Sequence, residues 1–188
     1  MKRKLYIQLE EVLADITKSA RVLHSHSDEI AFDDAVRALF DFRTHGHASP
    51  VCSAAAAIQY LINSDKFDIT VLSKVVRSST DQVRLAKAWW LNQFMKDISK
   101  KGDERLTNLV FVNEEMCDVS TEKPIDLNGV FVTSANVAEI FAEIYNPISM
   151  HLLVGAIQTA KSAGSEPLNS LIIGFSNWAD TLKQLNEV

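Results

Sequence analysis

Apolar spacing is the feature that most constrains this chain. Leu5, Leu9, Val12, Leu13, Ile16, Ala20 and Leu23 fall at i, i+4, i+7, i+8, i+11, i+15 and i+18, one stripe of an amphipathic helix ending near His24. Ser27 supplies a cap for a second helix, with Asp28 and Glu29 in its first turn. Phe32, Ala35, Val36, Leu39 and Phe40 form its inward stripe and Gly46 its stop. Ser49-Pro50 opens a third helix through about Ile62, apolar on nearly all sides and therefore central. The run FDITVLSKVVRSS reads as a further helix despite its β-branched residues. Ser79 and Gln82 form a capping box for a long helix with Val83, Ala86, Trp90, Leu91, Phe94, Met95 and Ile98 inward, ended by Gly102.

Two short runs interrupt this pattern. LVFVNEE (109–115) and GVFVTSA (129–135) are rich in Val and Phe and flank a polar stretch, so they read as two short antiparallel strands around a surface loop. Helices are expected again from Ser134, from Asn146-Pro147 and from Ser165. The last carries Leu168, Leu171, Ile172, Phe175, Trp178, Leu182 and Leu185 on one stripe that closes the core or meets another subunit. The expected fold is mainly α: a single-domain bundle of seven or eight amphipathic helices with a small two-stranded β element near 109–135. That domain spans 1–188, with sub-units 1–105 and 129–188 joined by the polar loop 114–128.

A length of 188 residues buries a core without staples, and 47% hydrophobic with 23% charged residues is ordinary for a globular chain. Cys52 and Cys117 make neither a disulfide framework nor a zinc motif. No apolar stretch is long enough to span a membrane, and the acidic residues after the basic tip rule out a signal-peptide core, so a cytoplasmic location is expected. The net charge of −5 is unevenly placed. Residues 74–105 hold 8 Lys/Arg against 4 Asp/Glu, whereas residues 106–188 hold 3 against 10.

Four of the five histidines form two His-x-His pairs, His24/His26 and His45/His47. His24, His26 and Asp28 match three positions of the His-x-His-x-Asp-His run of metallo-β-lactamase-like hydrolases, but Glu29 stands where that pattern needs histidine. A helix between the pairs, about 16 residues at 1.5 Å each, would hold them roughly 24 Å apart, so four ligands cannot meet on one metal in one chain. The plainer reading is two helix ends whose carbonyls favour histidine. Arg21-x4-His26 resembles the short signature of HEPN-type ribonucleases, which implies a hydrolase using His24 and His26.

Residues 69–105 allow a helix-turn-helix-like segment, with Lys74, Arg77, Ser79, Thr80, Gln82, Arg84 and Lys87 toward a groove or phosphates. Acid pairs such as Glu10/Glu11 read as solvated faces. Trp89, off the inward stripe, and Trp178 are the expected partner contacts. No phosphate loop, nucleophile elbow or His-Glu-x-x-His occurs, and no cofactor is expected. The leading expectation is a non-catalytic interaction or regulatory protein working through helical surfaces, self-associating as a homodimer. A DNA- or RNA-binding regulator is the alternative, and a metal-dependent or HEPN-like hydrolase the second.

Overall fold

The computed structural model describes residues 1–26, 31–40, 48–74, 81–98, 108–113, 115–134, 150–164 and 169–188. Among them the centre is a parallel sheet, not a helical bundle. β1 (Arg3–Gln8), β4 (Phe67–Lys74), β5 (Leu109–Val112), β6 (Gly129–Ser134) and β7 (Ser170–Phe175) lie in the order β5-β4-β1-β6-β7. Every neighbouring pair is parallel. A separate antiparallel pair joins β2 (Ala14–Asp15) to β3 (Ser49–Pro50). The described helices are α1 (Ile16–Ser25), α2 (Phe32–Phe40), α3 (Ala54–Ser64), α4 (Asp81–Ile98), α5 (Met150–Ser162) and α6 (Trp178–Asn186).

The mainly-α expectation is therefore corrected to an α/β fold, and the reason lies in particular residues. Leu5 and Leu9 are four apart, an even spacing that a strand also puts on one face. Tyr6 and Gln8, the residues that a half-solvated helix would expose, are 8% and 3% exposed, because this strand is buried on both faces. Helix begins only at Ile16, after a turn in which Leu13 N and Ala14 N both donate to Leu9 O at 3.1 and 2.9 Å. In β4 the β-branched Ile69, Thr70 and Val71 favour the pleated surface over the expected helix. The stripe from Leu168 onward is likewise two elements, strand β7 and helix α6, separated by Ser176-Asn177. Asn177 caps α6 by accepting from Asp180 N at 2.9 Å.

The two short runs do form strands, but not with one another. β5 lies at the sheet edge beside β4, and β6 pairs with β1 and β7. The stretches 1–105 and 129–188 thus both contribute strands to one sheet. The expected helix stop at Gly46, Ser79 of the expected capping box, the stop at Gly102 and residues 135–149, which hold most of the helix expected from Ser134 and the start of the one expected from Asn146-Pro147, lie outside the described residues, and Ser134 itself ends β6.

Both faces of the sheet are covered. Leu5, Ile7, Ile69, Val71, Val130, Val132, Ile173 and Phe175 pack with Ile58 and Leu61 of α3, Trp90 and Phe94 of α4 and Leu185 of α6. Tyr6, Leu72, Val112 and Phe131 pack on the opposite face with Leu153 of α5 and with Met116. Tyr6 and Phe131 stack at 4.7 Å between centroids. Gly129 admits the close approach of β1 to β6, since a Cβ there would lie 2.9 Å from Lys4 O. From β1 the chain builds outward through β4 to β5, then crosses to the other side for β6 and β7. The strand order reverses between β1 and β6, a topological switch point. In open α/β sheets, ligands bind outside the carboxyl ends of the strands at such a point.

Candidate active site at the carboxyl ends of the strands

β1, β4 and β6 all end in polar residues on otherwise apolar strands. Ser73 and Lys74 close β4, Thr133 and Ser134 close β6, and Gln8 closes β1 with Glu10 two residues beyond. All six are buried, and Ser73, Glu10 and Lys74 are at most 2% exposed. Lys87 of α4 joins them, fully buried.

Lys87 Nζ donates to Glu10 Oε1 at 2.9 Å, to Ser73 Oγ at 3.1 Å and to the Lys74 carbonyl at 3.3 Å. Ser73 Oγ donates to the same Glu10 oxygen at 2.5 Å. An ion pair taken wholly out of water loses hydration worth several kcal/mol per ion, which its mutual attraction offsets only with good hydrogen bonding. The lysine's three N–H groups and the serine hydroxyl provide it here. A second cluster lies across β1, where Gln8 Oε1 accepts from Thr133 Oγ1 at 2.7 Å and from Ser134 N at 3.3 Å.

The turn that presents Glu10 is fixed on several sides. Glu11 holds φ at +64°, a left-handed conformation uncommon for a residue with a side chain. Its Oε1 accepts from Thr17 N and Thr17 Oγ1 at 2.7 and 2.8 Å, so it caps the first turn of α1 together with Asp15, which accepts from Lys18 N at 2.9 Å. Trp178 Nε1 donates to Val12 O at 3.0 Å, tying the same turn to α6.

Burial pushes the Glu11 carboxyl above the ordinary carboxylate range, with the hydrogen bonds from Thr17 opposing it. A carboxyl whose folded pKa exceeds its unfolded value contributes stability below the unfolded value and loses it as pH rises through the folded one. Glu11→Gln keeps the acceptor for Thr17 and removes the charge. Its melting temperature is therefore expected to match the parent protein near pH 4 and to exceed it increasingly toward pH 7. Thermal melts across that range check this, and a variant less stable at pH 7 than at pH 4 relative to the parent would contradict it.

The residues singled out from sequence are dispersed. Lys87, expected to face phosphates, lies in the core with Glu10, and Lys74 is buried at the end of β4. Gln82 is exposed, and Arg84 pairs with Asp81 on the outside of α4. Arg77 and Thr80 lie outside the described residues. The first helix of the helix-turn-helix segment is absent, because Phe67–Lys74 is strand. Trp89 is 52% exposed, whereas Trp178 is 2% exposed and packs edge-on against Phe175 inside the protein. His24 and His26 are exposed at the end of α1, where His26 Nδ1 meets Val22 O at 2.7 Å, a helix-end contact. His45 and His47 lie outside the described residues. Among the described residues no group of three or more His, Cys, Asp or Glu could hold a metal ion, and no helix is long and apolar enough to cross a membrane.

The expectation of a non-catalytic protein acting through helical surfaces is corrected along with the fold it depended on. The buried polar residues converge instead on the carboxyl ends of a doubly wound sheet. Gln8 and Ser73 drew no reading from the sequence, Glu10 read there as part of a solvated face but is 1% exposed, and Lys87 read as facing outward but is buried. One signal was legible: Lys87 lies four residues after Val83 and four before Leu91, squarely on the apolar stripe. No protein-family model and no curated protein matches the chain. Among solved structures it is similar to the crystal structure of a hydrolase from Streptococcus pneumoniae TIGR4, at 14% identity and a TM-score of 0.46 over the full length of both chains.

Proposed function

We propose that this protein is a hydrolase of a small anionic ester, with Glu10 as its proton-transfer group. The observation that carries this reading is the fully buried Glu10–Ser73–Lys87 cluster at the carboxyl ends of β1 and β4, beside the switch point. Glu10 takes a proton from the attacking water and returns one to the leaving group. Lys87 and Ser73 hold its carboxyl group in place. Lys74 and Lys87, both buried at this end of the sheet, place cationic side chains beside the site and suit a negatively charged substrate.

The test is turnover of p-nitrophenyl phosphate by the parent protein and three variants. Glu10→Gln is expected to lower kcat about 10²- to 10⁴-fold, the usual contribution of a positioned acid–base group. Glu10→Asp, which keeps the charge but shortens its reach, is expected to fall between the two. Ser73→Ala is expected to lose less than Glu10→Gln, since the serine positions the acid. Absence of turnover in the parent protein, or full turnover in Glu10→Gln, would overturn the reading. A loss in Ser73→Ala exceeding that in Glu10→Gln would overturn the assignment of roles and make the serine the nucleophile.

A further inference from the structure

The amide of Gln8 has its orientation settled by its neighbours. The Ser134 backbone N–H can only donate, so the Gln8 atom 3.3 Å from it is the carbonyl oxygen and not the NH2 group. Thr133 Oγ1 donates to the same oxygen. The trigonal amide then turns Nε2 away from these two donors on β6. Nε2 is buried and has no hydrogen-bond partner among the described residues, in a side chain only 3% exposed.

A buried N–H donor without an acceptor costs stability, and native interiors seldom leave one. β1 offers this one at the last residue of the strand, at the switch point, with Lys74 buried at the end of the neighbouring strand β4 and Lys87 buried on α4. A solvent-facing glutamine would mean nothing here. A buried one, with its oxygen already committed to two donors, has a single free function, which is to donate.

We propose that Gln8 Nε2 is a ligand-binding donor that takes an oxygen of a small oxyanion group, phosphoryl or carboxylate, at the end of β1. This rests on the placing of the ligand at the switch point in the reading above, but not on turnover. Donation from a neutral amide binds the anion without adding charge, while the lysines supply the field. Thr133 and Ser134 are positioning residues, because they hold the amide carbonyl and so aim its NH2.

The test is titration of the full chain, labelled with ¹⁵N, with orthophosphate and separately with acetate, following the side-chain NH2 resonances of Gln8. Those resonances are assigned by their loss in Gln8→Glu. A saturable shift with either anion is expected, and which anion acts tells phosphoryl from carboxylate. Gln8→Glu keeps the acceptor for Thr133 and Ser134 but replaces the donor with an oxygen. It is expected to weaken the anion's Kd by tenfold or more, on the order of one hydrogen bond to a charged group. Gln8→Leu is expected to weaken binding similarly without adding a charge. No shift of the Gln8 NH2 with either anion overturns the proposal, as does unchanged affinity in both variants. If the shift occurs while the parent protein turns over no ester, the hydrolase reading fails and this one stands. If turnover occurs and the amide does not respond, the reverse holds.

Discussion

Lys87→Met is expected to destabilise the protein by about 3–5 kcal/mol, the range for removing one partner of a buried ion pair. The methionine fills much of the lysine's volume, so the loss comes from the charge left behind. Glu10 is 1% exposed and, among the described residues, would keep only the hydrogen bond from the Ser73 hydroxyl, which brings no compensating charge. For a chain of this length each kcal/mol lowers the melting temperature by roughly 2–4 °C, so a fall on the order of 10 °C is expected. Adding Glu10→Leu removes the stranded carboxylate, and the double variant should recover most of the loss, because apolar replacement of a whole buried pair is often neutral or stabilising. Urea unfolding of the four proteins in this cycle gives the coupling directly. A Lys87→Met variant within 1 kcal/mol of the parent would show that the pair is not buried as described.

Trp178→Ala is the second large effect, about 3–5 kcal/mol, the range for removing a buried aromatic side chain. Trp178 belongs to α6, yet its indole N–H reaches Val12 O in the turn that carries Glu10. The truncation therefore opens a cavity and releases that turn together. Trp178→Phe keeps an aromatic ring and opens a smaller cavity, while still leaving the Val12 carbonyl without the indole N–H, at about 1–3 kcal/mol for the lost hydrogen bond. Amide exchange at Leu13 and Ala14, whose N–H groups bond back to Leu9 O, is expected to quicken in both variants more than exchange within β1. Equal protection of the turn in parent and variants would mean that the indole does not pin it.

The sequence exposed the positions of burial better than the elements that achieve it. Val83, Trp90, Leu91, Phe94 and Ile98 are buried on α4, as the spacing of their apolar neighbours required. The strands were obscured by a physical ambiguity. Leu5 and Ile7 alternate with Lys4, Tyr6 and Gln8, and Phe67, Ile69 and Val71 with Asp68 and Thr70, as strands require. Leu5 also fits the helix-like spacing of Leu9, Val12 and Ile16, so β1 merged into the pattern of the element that follows it. The same merging hid β7, whose apolar residues continued the stripe of α6. Strand order carries no local signal at all, so the parallel neighbours of β5 and β6 could not be read from their likeness to one another.

The candidate site was less legible, for a reason that follows from its chemistry. Glu10 and Glu11 are adjacent, and adjacent acids in a helix diverge into solvent. In the turn after β1 they instead take separate tasks, Glu10 toward Lys87 and Glu11 toward the start of α1. Nothing local announces that Glu10, Ser73 and Lys87 meet, since they are brought together across 77 positions of sequence by the sheet. The histidine pairs, by contrast, were conspicuous in composition. The pair within the described residues sits at the exposed end of α1, where His26 meets the carbonyl of Val22.

Catalysis at the turn after β1 and catalysis at the end of α1 predict opposite outcomes. One comparison decides between them: kcat/KM for p-nitrophenyl phosphate in Glu10→Asp set against His24→Ala with His26→Ala, each checked for an intact melting transition. Turnover is expected to fall at least tenfold in Glu10→Asp and to stay within twofold of the parent in the double histidine variant, orders of magnitude set by the ordinary effect of moving a proton-transfer group. Activity that survives Glu10→Asp and disappears with the two histidines would place the site at the end of α1 and contradict the account.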